Sequence, residues 1–235
     1  MTATLWLIAI AVGFLFGSFP TGYMIGRARG VDIRKLGSGN IGATNVGRVF
    51  GQRAWLLCFS GDFLKGFVPV LGAGVFAGLA GKWSPPPDQA ALWCCVLAAA
   101  ILGHMFTPWL GFKGGKGVAT ALGSLLGFFP LITFAGLAAL GVFVLVLKTS
   151  RYVSLASICA TACLPVFVLV QTGLTLWLRP AGMEIARATS AGLWLAGLTA
   201  ILSAMMIWRH RANIARIRAG TEPKAGSTPA APAAA

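Results

Sequence analysis

Charged residues are scarce in this chain, and acidic residues are the scarcest. Charged side chains make up 10% of the 235 residues, and Asp and Glu together number 5 against 19 Lys and Arg. A soluble domain normally carries about 25% charged residues, so this composition excludes one. Hydrophobic residues make up 57%, and runs close to the ~20 residues that cross a bilayer recur along the chain. We therefore expect a polytopic membrane protein with no separate soluble domain.

Common signatures of nucleotide, metal and nucleophile sites are also missing. No GxxxxGK followed by Ser or Thr occurs, which excludes a P-loop. The five cysteines form no CxxC, and no His or acid stands at metal-ligand spacing, so we expect packing residues and no metal site. There are no paired carboxylates and no Ser-His-Asp order. Trp109 stands where an HxxxxD motif starting at His104 would need an aspartate.

Six apolar regions are candidates for membrane spans. Five are predicted to cross once each: Ala3–Gly26, Ala54–Gly81, Gln89–Leu110, Val153–Leu178 and Thr189–Trp208. The remaining region, between Lys116 and Lys148, holds no charge and would be roughly 46 Å long as one helix. That helix would be longer than a single crossing of the ~30 Å bilayer core requires, and shorter than two full crossings require. The Phe128-Phe129-Pro130 stretch near its middle can make a tight reversal.

The positive-inside rule decides between one span and two in this region. With two spans, Lys82, Arg179 and Arg187 are the only basic residues on the outside. With one span, the basic C-terminal tail would lie outside as well. We therefore predict an all-α integral membrane protein with seven transmembrane helices, the N-terminus outside and the C-terminus in the cytoplasm. Residues 1–222 are predicted to form one polytopic membrane domain, and residues 223–235 a disordered Ala/Pro-rich tail.

The glycine-rich stretch LGSGNIGATNVGR, residues 36–48, formally matches the dinucleotide fingerprint GxGxxG. That fingerprint needs a preceding strand, whereas a membrane span and a basic segment come before this one. Glycines instead let backbone N–H groups approach a ligand and form an anion nest. The stretch also supplies polar groups that can hold a phosphate, namely Ser38, Asn40, Thr44, Asn45 and Arg48.

A second glycine-rich stretch, GHMFTPWLGFKGGKGVAT, covers residues 103–120. Its KGGKG core places Lys113 and Lys116 on backbone that can approach an anion closely. Lys116 also begins a predicted span, so the positive end of a helix falls at the same place. Each glycine-rich stretch alone could be no more than a tight interhelical turn. The seven-span layout, however, puts both on the cytoplasmic side, together with residues 150–157 and the tail residues His210 and Asn213.

These groups predict a site for phosphorylated substrates beside lipid. Polar residues at membrane depth are costly and usually functional. Without a side-chain base or nucleophile, an enzyme here would work by gathering anions and stabilising developing charge. A substrate phosphate would then be a plausible proton acceptor.

The motifs GSGNIGATNVGR, GHMFTPWLGFKGGKGVAT and HRANIARIRAGTE resemble those of the bacterial acyl-phosphate:glycerol-3-phosphate acyltransferases. The likeness runs from the SFPTGY of the first span to Glu222. It implies a seven-helix enzyme of the bacterial inner membrane, with its site facing the cytoplasm. Such an enzyme moves a fatty acyl group from acyl phosphate to the 1-hydroxyl of glycerol 3-phosphate, giving lysophosphatidate and phosphate. The expected partners are these two substrates and membrane lipid, with no cofactor, metal or nucleic acid, and the expected state is a monomer.

The resemblance also implies roles for individual residues. Those expected to act on substrate phosphate or hydroxyl groups are Ser38, Thr44, Arg48, His104, Lys116, Ser154, His210 and Asn213. Ser157 is the alternative to Ser154. Those expected to complete the binding surface are Gly37, Gly39, Asn40, Asn45, Lys113, Gly114, Gly115 and Gly117. Apolar grooves between helices would take the acyl chain, and the substrate's own phosphate would act as the base.

Two other functions remain open from the residues alone. A transporter or channel for a small phosphorylated metabolite would also need cytoplasmic cations. Transporters tend to place their site near the midplane on broken helices in repeated halves, and this sequence shows no internal repeat. A non-catalytic lipid-binding protein would explain the basic loops, but not Ser38, Thr44, Lys116 and Asn213 together.

Overall fold

Helices make up all the regular structure in residues 1–179 and 183–226, the part of the chain that the computed structural model describes. The α-helices are α1 (Ala3–Ser18), α2 (Thr21–Arg27), α3 (Ala43–Phe50), α4 (Gln52–Phe76), α5 (Pro87–Met105), α6 (Val118–Gly127), α7 (Thr133–Ser150), α8 (Val153–Leu178), α9 (Ile185–Arg209) and α10 (Arg211–Arg218). Two 3-10 helices lie at Ile33–Lys35 and Pro108–Leu110.

Six helical stretches of the described residues are long and apolar enough to cross a membrane. They are Ala3–Arg27, Gln52–Phe76, Pro87–Leu110, Thr133–Ser150, Val153–Leu178 and Ile185–Arg209. They correspond to the regions predicted from hydropathy, and α8 has the predicted bounds. The helix α6 is apolar but has only 10 residues, about 15 Å of length. The all-helical membrane class is confirmed, while the count of seven spans depends on α6 and stays a prediction.

The reversal predicted at Phe128-Phe129-Pro130 separates α6 from α7. A break in an apolar environment leaves backbone groups without helical partners, and each must be satisfied by other protein groups. Gln171 of α8 does this on both sides of the break. Its side-chain amide donates to the carbonyl oxygen of Pro130 over 2.7 Å, and its oxygen accepts from the N–H of Ala135 over 2.8 Å. The side chain is buried, so these bonds hold α8 against the turn.

A second break lies in the first span, between α1 and α2 at Phe19-Pro20, because proline cannot donate a helical hydrogen bond. Lys65 of α4 donates to the carbonyl oxygen of Phe19 over 2.9 Å. The same ammonium pairs with Asp62 at 2.8 Å, and both side chains are buried. This buried ion pair, at i and i+3 of one helix, therefore also ties α4 to the break in the first span.

Small residues lie in the most extensive helix contacts, which are those of α4 with α6 and of α1 with α5. A Cβ added to Gly123 would overlap the carbonyl oxygen of Phe63, and one added to Gly103 would overlap that of Phe14. Close backbone approach through small residues is the usual way in which membrane helices associate. These contacts fix where the start of α4, the end of α5 and the start of α6 meet, and the cavity described below opens there.

The last described residues do not leave the bundle. The carbonyl oxygen of Pro223 accepts from Arg48 over 3.0 Å, and Arg151 and Ala225 bond to each other through two hydrogen bonds of 2.7 and 3.2 Å. The segment after α10 therefore returns across the ends of α3 and α8. Of the predicted disordered tail, residues 227–235 lie outside the described residues.

Candidate active site

A single cavity of about 560 Å³ collects the predicted reactive residues. This volume lies within the ~300–1,000 Å³ typical of small-molecule sites. Its lining includes all eight residues to which the resemblance gave a role in the reaction: Ser38, Thr44, Arg48, His104, Lys116, Ser154, His210 and Asn213. They come from α3 and the loop before it, the end of α5, the start of α6, the start of α8, and α10. The prediction that these distant segments meet at one end of the bundle is confirmed.

The glycine-rich loop before α3 is held by one side chain, Asn45. Its side-chain oxygen accepts from the N–H of Ser38 over 2.8 Å. Its amide donates to the carbonyl oxygens of Leu36 and Asn40 over 3.0 and 2.9 Å. Gly37 has a positive φ of 57° and sits so close that a Cβ would overlap the Asn45 oxygen. This amide is fully used by the loop, so Asn45 shapes the site, and the expectation that it donates to substrate needs correction.

Of the other residues in this loop, some line the cavity and others do not. Asn40, which lines the cavity, accepts from the N–H of Gly42 over 2.8 Å. Gly39, with φ of 70°, lies in the turn behind it and is not part of the lining. Ser38 and Thr44 line the cavity at the start of α3, and Arg48 follows Thr44 by one helical turn. The loop and α3 together thus bring two hydroxyl-bearing residues and an arginine to the cavity.

The second glycine-rich stretch lies against the end of α5. The N–H groups of Gly114 and Gly115 donate to the carbonyl oxygens of Met105 and His104 over 3.2 and 3.1 Å. Gly117 follows with φ of 86° and caps α6, and the first residues of that helix, Val118 and Ala119, line the cavity. Gly114 and Gly115 pack behind the lining and are not part of it.

The two lysines of the KGGKG core have different positions. Lys116 lines the cavity, whereas Lys113 is exposed and lies outside the lining. An exposed ammonium keeps its hydration and gains little from a bound phosphate. The expectation that Lys113 completes the binding surface is therefore not supported by its position.

A hydrogen-bonded network runs from Lys116 to the C-terminal segment. The Lys116 ammonium donates to the side-chain oxygen of Asn213 over 2.6 Å. The Asn213 amide donates to the carboxylate of Glu222 over 2.7 Å, and the hydroxyl of Ser154 donates to the same oxygen over 2.7 Å. The other oxygen of Glu222 accepts from Arg216 over 2.7 Å. Charged groups at both ends fix the orientation of the Asn213 amide.

Glu222 is a site residue that sequence reasoning missed. It is 5% exposed, although it lies in a short segment after the last helix. Burial opposes its ionisation, but the hydrogen bonds from Ser154, Asn213 and Arg216 outweigh burial and hold the pKa of this carboxyl below its ordinary value. One signal was available, since Glu222 is the sole acid in an otherwise basic C-terminal segment.

The choice between Ser154 and Ser157 is clearer in the structure. Both line the cavity. The Ser157 hydroxyl donates to the carbonyl oxygen of Val153, one turn back in the same helix, over 2.8 Å. The Ser154 hydroxyl instead reaches across to Glu222. Ser154 therefore belongs to the polar network, and Ser157 is occupied within its own helix.

The charge state of Lys116 is set by its surroundings. Burial lowers the pKa of this ammonium to about 8, and the cations Arg216, Arg48 and Arg209 act in the same direction against the opposing effect of Glu222. The ammonium is still mostly charged near pH 7. A bound anion would relieve both effects, so the cavity is prepared for negative charge at this point.

His210 is neutral near pH 7. Burial lowers its pKa to about 4, and the positive charge of Lys116 adds to the shift. Its Nδ1 lies 2.8 Å from the carbonyl oxygen of Met206, so this nitrogen carries the proton and donates. The other ring nitrogen, Nε2, is then a hydrogen-bond acceptor. His210 can therefore accept a hydrogen bond from a hydroxyl group in the cavity.

His104 lies at the inner wall of the cavity, next to the buried ion pair. Its Nδ1 is 3.7 Å from the Asp62 carboxylate, and its side chain is 4% exposed. A Cβ on Gly115 would overlap its Nε2. The ring thus fills the space between Asp62 and the second glycine-rich stretch, which fits the expectation that His104 shapes the site.

Below the polar groups the cavity continues as an apolar groove between α6, α7 and α8. Its walls are formed by Leu122, Leu125, Leu140, Phe143, Leu147 and Leu164. The helices α6 and α7 make few contacts with each other. Hydrocarbon can therefore lie between them while a charged head group remains among Arg48, Lys116 and the start of α6.

Known proteins are similar to this chain in sequence and in structure. A family model described as glycerol-3-phosphate acyltransferase matches residues 7–220. The chain belongs to the glycerol-3-phosphate acyltransferase family. It is 45% identical to the glycerol-3-phosphate acyltransferase of Geobacter sulfurreducens over 216 residues, covering 92% of this chain and 95% of that protein. With the enzyme of a Synechococcus strain it shares 41% identity over 223 residues, covering 94% and 95%.

Solved structures of the family have the same fold. A crystal structure of PlsY (YgiH), an integral membrane glycerol 3-phosphate acyltransferase, in its glycerol 3-phosphate form superposes with a TM-score of 0.75. It is 36% identical and the match covers 94% of this chain and 96% of that one. A second crystal structure, of the lysophosphatidic acid form, gives a TM-score of 0.73 at 35% identity, with 96% and 97% covered. The resemblance drawn from the motifs is confirmed, and the chain is an integral membrane glycerol-3-phosphate acyltransferase.

Proposed function

We propose that this acyltransferase uses acyl phosphate as its donor. The sn-1 hydroxyl oxygen of glycerol 3-phosphate attacks the acyl carbon, a new ester bond forms, and the bond from that carbon to the phosphate oxygen breaks. The hydroxyl proton passes to the departing phosphate. The products are lysophosphatidate, a precursor of phospholipid, and inorganic phosphate.

The observation that carries the proposal is the junction of two environments in one cavity. One wall holds Arg48, Lys116 and the N-terminal end of α6, which are three separate sources of positive charge. The adjoining groove is apolar. An acyl phosphate has the matching form, with a charged head and a long hydrocarbon chain. Donors with larger polar heads, such as acyl-CoA, would leave most of their polar groups outside this cavity.

The acceptor and product are supported by the related structures. PlsY has been crystallised in a glycerol 3-phosphate form and in a lysophosphatidic acid form. Both molecules carry a phosphate monoester, so the same cations would serve substrate and product. We assign Arg48 and Lys116 to the phosphates, and the hydroxyls of Ser38, Thr44 and Ser154 to orienting the groups around them.

The departing phosphate is a better proton acceptor than the His210 imidazole. The phosphate of an acyl phosphate resembles that of a monoester, whose second pKa is about 6, whereas burial lowers the pKa of His210 to about 4. His210 Nε2 is then suited to accept a hydrogen bond from the attacking hydroxyl and so orient it. The reaction is substrate-assisted.

We propose direct transfer without an acyl-enzyme. A serine nucleophile needs a base within hydrogen-bonding distance. Within residues 1–179 and 183–226, no imidazole or carboxylate bonds to the Ser38 hydroxyl, and the hydrogen bond at this residue is from its backbone N–H to Asn45. Catalysis would come from holding two substrates together and from stabilising the negative charge that develops on the acyl oxygen.

We place the cavity on the cytoplasmic side of the bacterial inner membrane, with the protein acting as a monomer. The excess of Lys and Arg in the loops at the cavity end supports this orientation. If α6 is counted as a crossing, the chain crosses seven times. Glycerol 3-phosphate would then enter from the aqueous side, while the acyl donor would enter the groove from the bilayer.

A donor comparison tests the proposal. Purified protein in lipid is given glycerol 3-phosphate with either palmitoyl phosphate or palmitoyl-CoA, and lysophosphatidate is measured by mass spectrometry. We expect product from palmitoyl phosphate only, and none from Arg48→Ala with either donor. Product from palmitoyl-CoA at a similar rate would overturn the donor assignment while leaving the family activity intact.

A further inference from the structure

The Gly114-Gly115 segment that leads into Lys116 is bonded along both of its edges. On one edge its N–H groups donate to the carbonyl oxygens of Met105 and His104 at the end of α5. On the other edge its carbonyl oxygens accept from Arg209, the last residue of α9. Two successive glycines have wide backbone freedom, so their conformation depends on such external bonds.

The Arg209 guanidinium uses two nitrogens for these bonds. Its Nη2 donates to the carbonyl oxygen of Gly114 over 2.5 Å, and its Nε donates to that of Gly115 over 3.2 Å. The charged group also lies over the ring of Phe106, 5.7 Å from its centroid. A planar fork of donors can bridge two adjacent carbonyls in this way, whereas a lysine ammonium is a single compact charge.

Lys116 follows Gly115 directly, and its ammonium meets Asn213 of α10. Arg209 lies at the junction of α9 and α10, four residues before Asn213. The backbone before Lys116 and the partner of its side chain are therefore both fixed to the same helix junction. Changing the position of Arg209 would move the phosphate-binding ammonium relative to Arg48, which also lines the cavity.

We propose that Arg209 is a positioning residue that sets the place of Lys116 by bridging the Gly114 and Gly115 carbonyls. The role rests on the proposed function of Lys116 as a phosphate-binding cation. Arg209 itself is not among the residues that line the cavity, so it acts on the reaction through Lys116 and needs no contact with substrate. The positive-inside rule accounts for a cation at this end of α9, but it does not account for a bidentate bridge to these carbonyls.

The test compares Arg209→Ala and Arg209→Lys with Arg211→Ala. Arg211 is exposed, and it lies over the ring of Trp208 at 4.3 Å, so it serves as the matched control. We expect kcat/KM for palmitoyl phosphate to fall ~100-fold in Arg209→Ala, as for a misplacement of about 1 Å, and ~10-fold in Arg209→Lys. Arg211→Ala should stay close to the unmodified protein. Added guanidinium at a non-denaturing concentration should restore part of the activity of Arg209→Ala, and methylammonium should not.

A second measurement reports on Lys116 without turnover. The rate at which acetic anhydride modifies Lys116 is followed against pH by mass spectrometry. Arg209 is one of the cations near Lys116. We therefore expect the midpoint to move to higher pH in Arg209→Ala and to stay unchanged in Arg211→Ala. Arg209→Lys keeps the charge, so it should lose turnover without this shift. If Arg209→Ala does not fold, Arg209→Lys can still be compared with Arg211→Ala.

The outcomes separate the two proposals. If the unmodified protein makes no lysophosphatidate from palmitoyl phosphate, the proposed function is overturned. The limiting rate of Lys116 modification at high pH, which depends on the exposure of the amine and not on its charge, still decides whether both Arg209 variants displace it. If the unmodified protein is active and both Arg209 variants match Arg211→Ala in turnover and in Lys116 modification, the positioning role is overturned. Loss of activity with partial rescue by guanidinium alone supports the bridge.

Discussion

The Lys116 ammonium donates a hydrogen bond to the side-chain oxygen of Asn213 across 2.6 Å, joining the start of α6 to α10. The two residues are 97 positions apart in the chain. Their contact brings the second glycine-rich stretch and the C-terminal motif into one site. Because Asn213 is neutral, it does not compensate the positive charge of Lys116, which is therefore available to a bound phosphate.

Replacing Lys116 should remove most turnover, while replacing Lys113 should not. We expect Lys116→Ala to lower kcat/KM by ~10³-fold, because it removes a buried cation from the developing negative charge. Lys113→Ala removes the same charge three positions away on the exposed side of the loop. It should cost a few-fold at most. Phosphate release in lipid measures both, and equal losses in the two variants would mean that the site depends on net charge alone.

Activity should decline at alkaline pH. Burial lowers the pKa of Lys116 to about 8, so the free protein loses this cation as pH rises through that value. The expected sign is a fall in kcat/KM above about pH 8. The limb for kcat should lie at higher pH, because a bound phosphate stabilises the charged form. Rate profiles for both parameters check this, and a kcat/KM that stays flat well above pH 8 would contradict the role given to Lys116.

Glu222 should be required for stability as well as for activity. Glu222→Ala would leave the Asn213 amide, the Ser154 hydroxyl and Arg216 without their shared partner. We expect a loss of at least ~2 kcal/mol in the free energy of unfolding, because removing one partner leaves buried polar groups unsatisfied. Thermal unfolding in detergent measures it. Glu184→Ala, which breaks an exposed pair, should change stability by less than ~1 kcal/mol. If Glu222→Ala and Glu184→Ala change the free energy of unfolding by similar amounts, the network is not needed for folding.

The effect of replacing a glycine by alanine should depend on the space around that glycine. A Cβ on Gly115 would overlap the His104 ring, so Gly115→Ala must move either the ring or the backbone before Lys116. We expect ~100-fold loss of kcat/KM. A Cβ on Gly141 in α7 meets nothing within 4 Å, and Gly141→Ala should be neutral or slightly stabilising. If Gly115→Ala is fully active, the contact with His104 does not constrain the site.

Much of the fold followed from hydropathy and charge. The α8 bounds and the reversal before Pro130 were predicted because long apolar runs and a proline act locally. The short length of α6 was not predicted. It depends on Gln171, which satisfies the broken backbone from a helix that comes much later in the chain. A hydropathy profile contains no information about such a partner.

The sequence predicted which residues line the site better than it predicted what each residue does there. Ser38, Thr44 and Lys116 lie in motifs whose residue types indicate phosphate, and they line the cavity. Asn45 looked like another donor, but its amide is used within its own loop. Glu222 was given no role, because its sequence position after the last helix does not show that its carboxylate is buried against Ser154, Asn213 and Arg216. Such assignments depend on which partner a side chain meets, and only the folded arrangement determines that.

The measurement that tests the central claim most directly is phosphate release with each substrate omitted in turn. Purified protein in lipid is mixed with palmitoyl phosphate and glycerol 3-phosphate, without CoA or metal. Direct transfer from donor to acceptor predicts continuous phosphate release only when both are present. A burst of one phosphate per protein without glycerol 3-phosphate would reveal an acyl-enzyme and contradict direct transfer. No release at all from folded protein would contradict the donor assignment, and uptake of glycerol 3-phosphate into vesicles would then test transport.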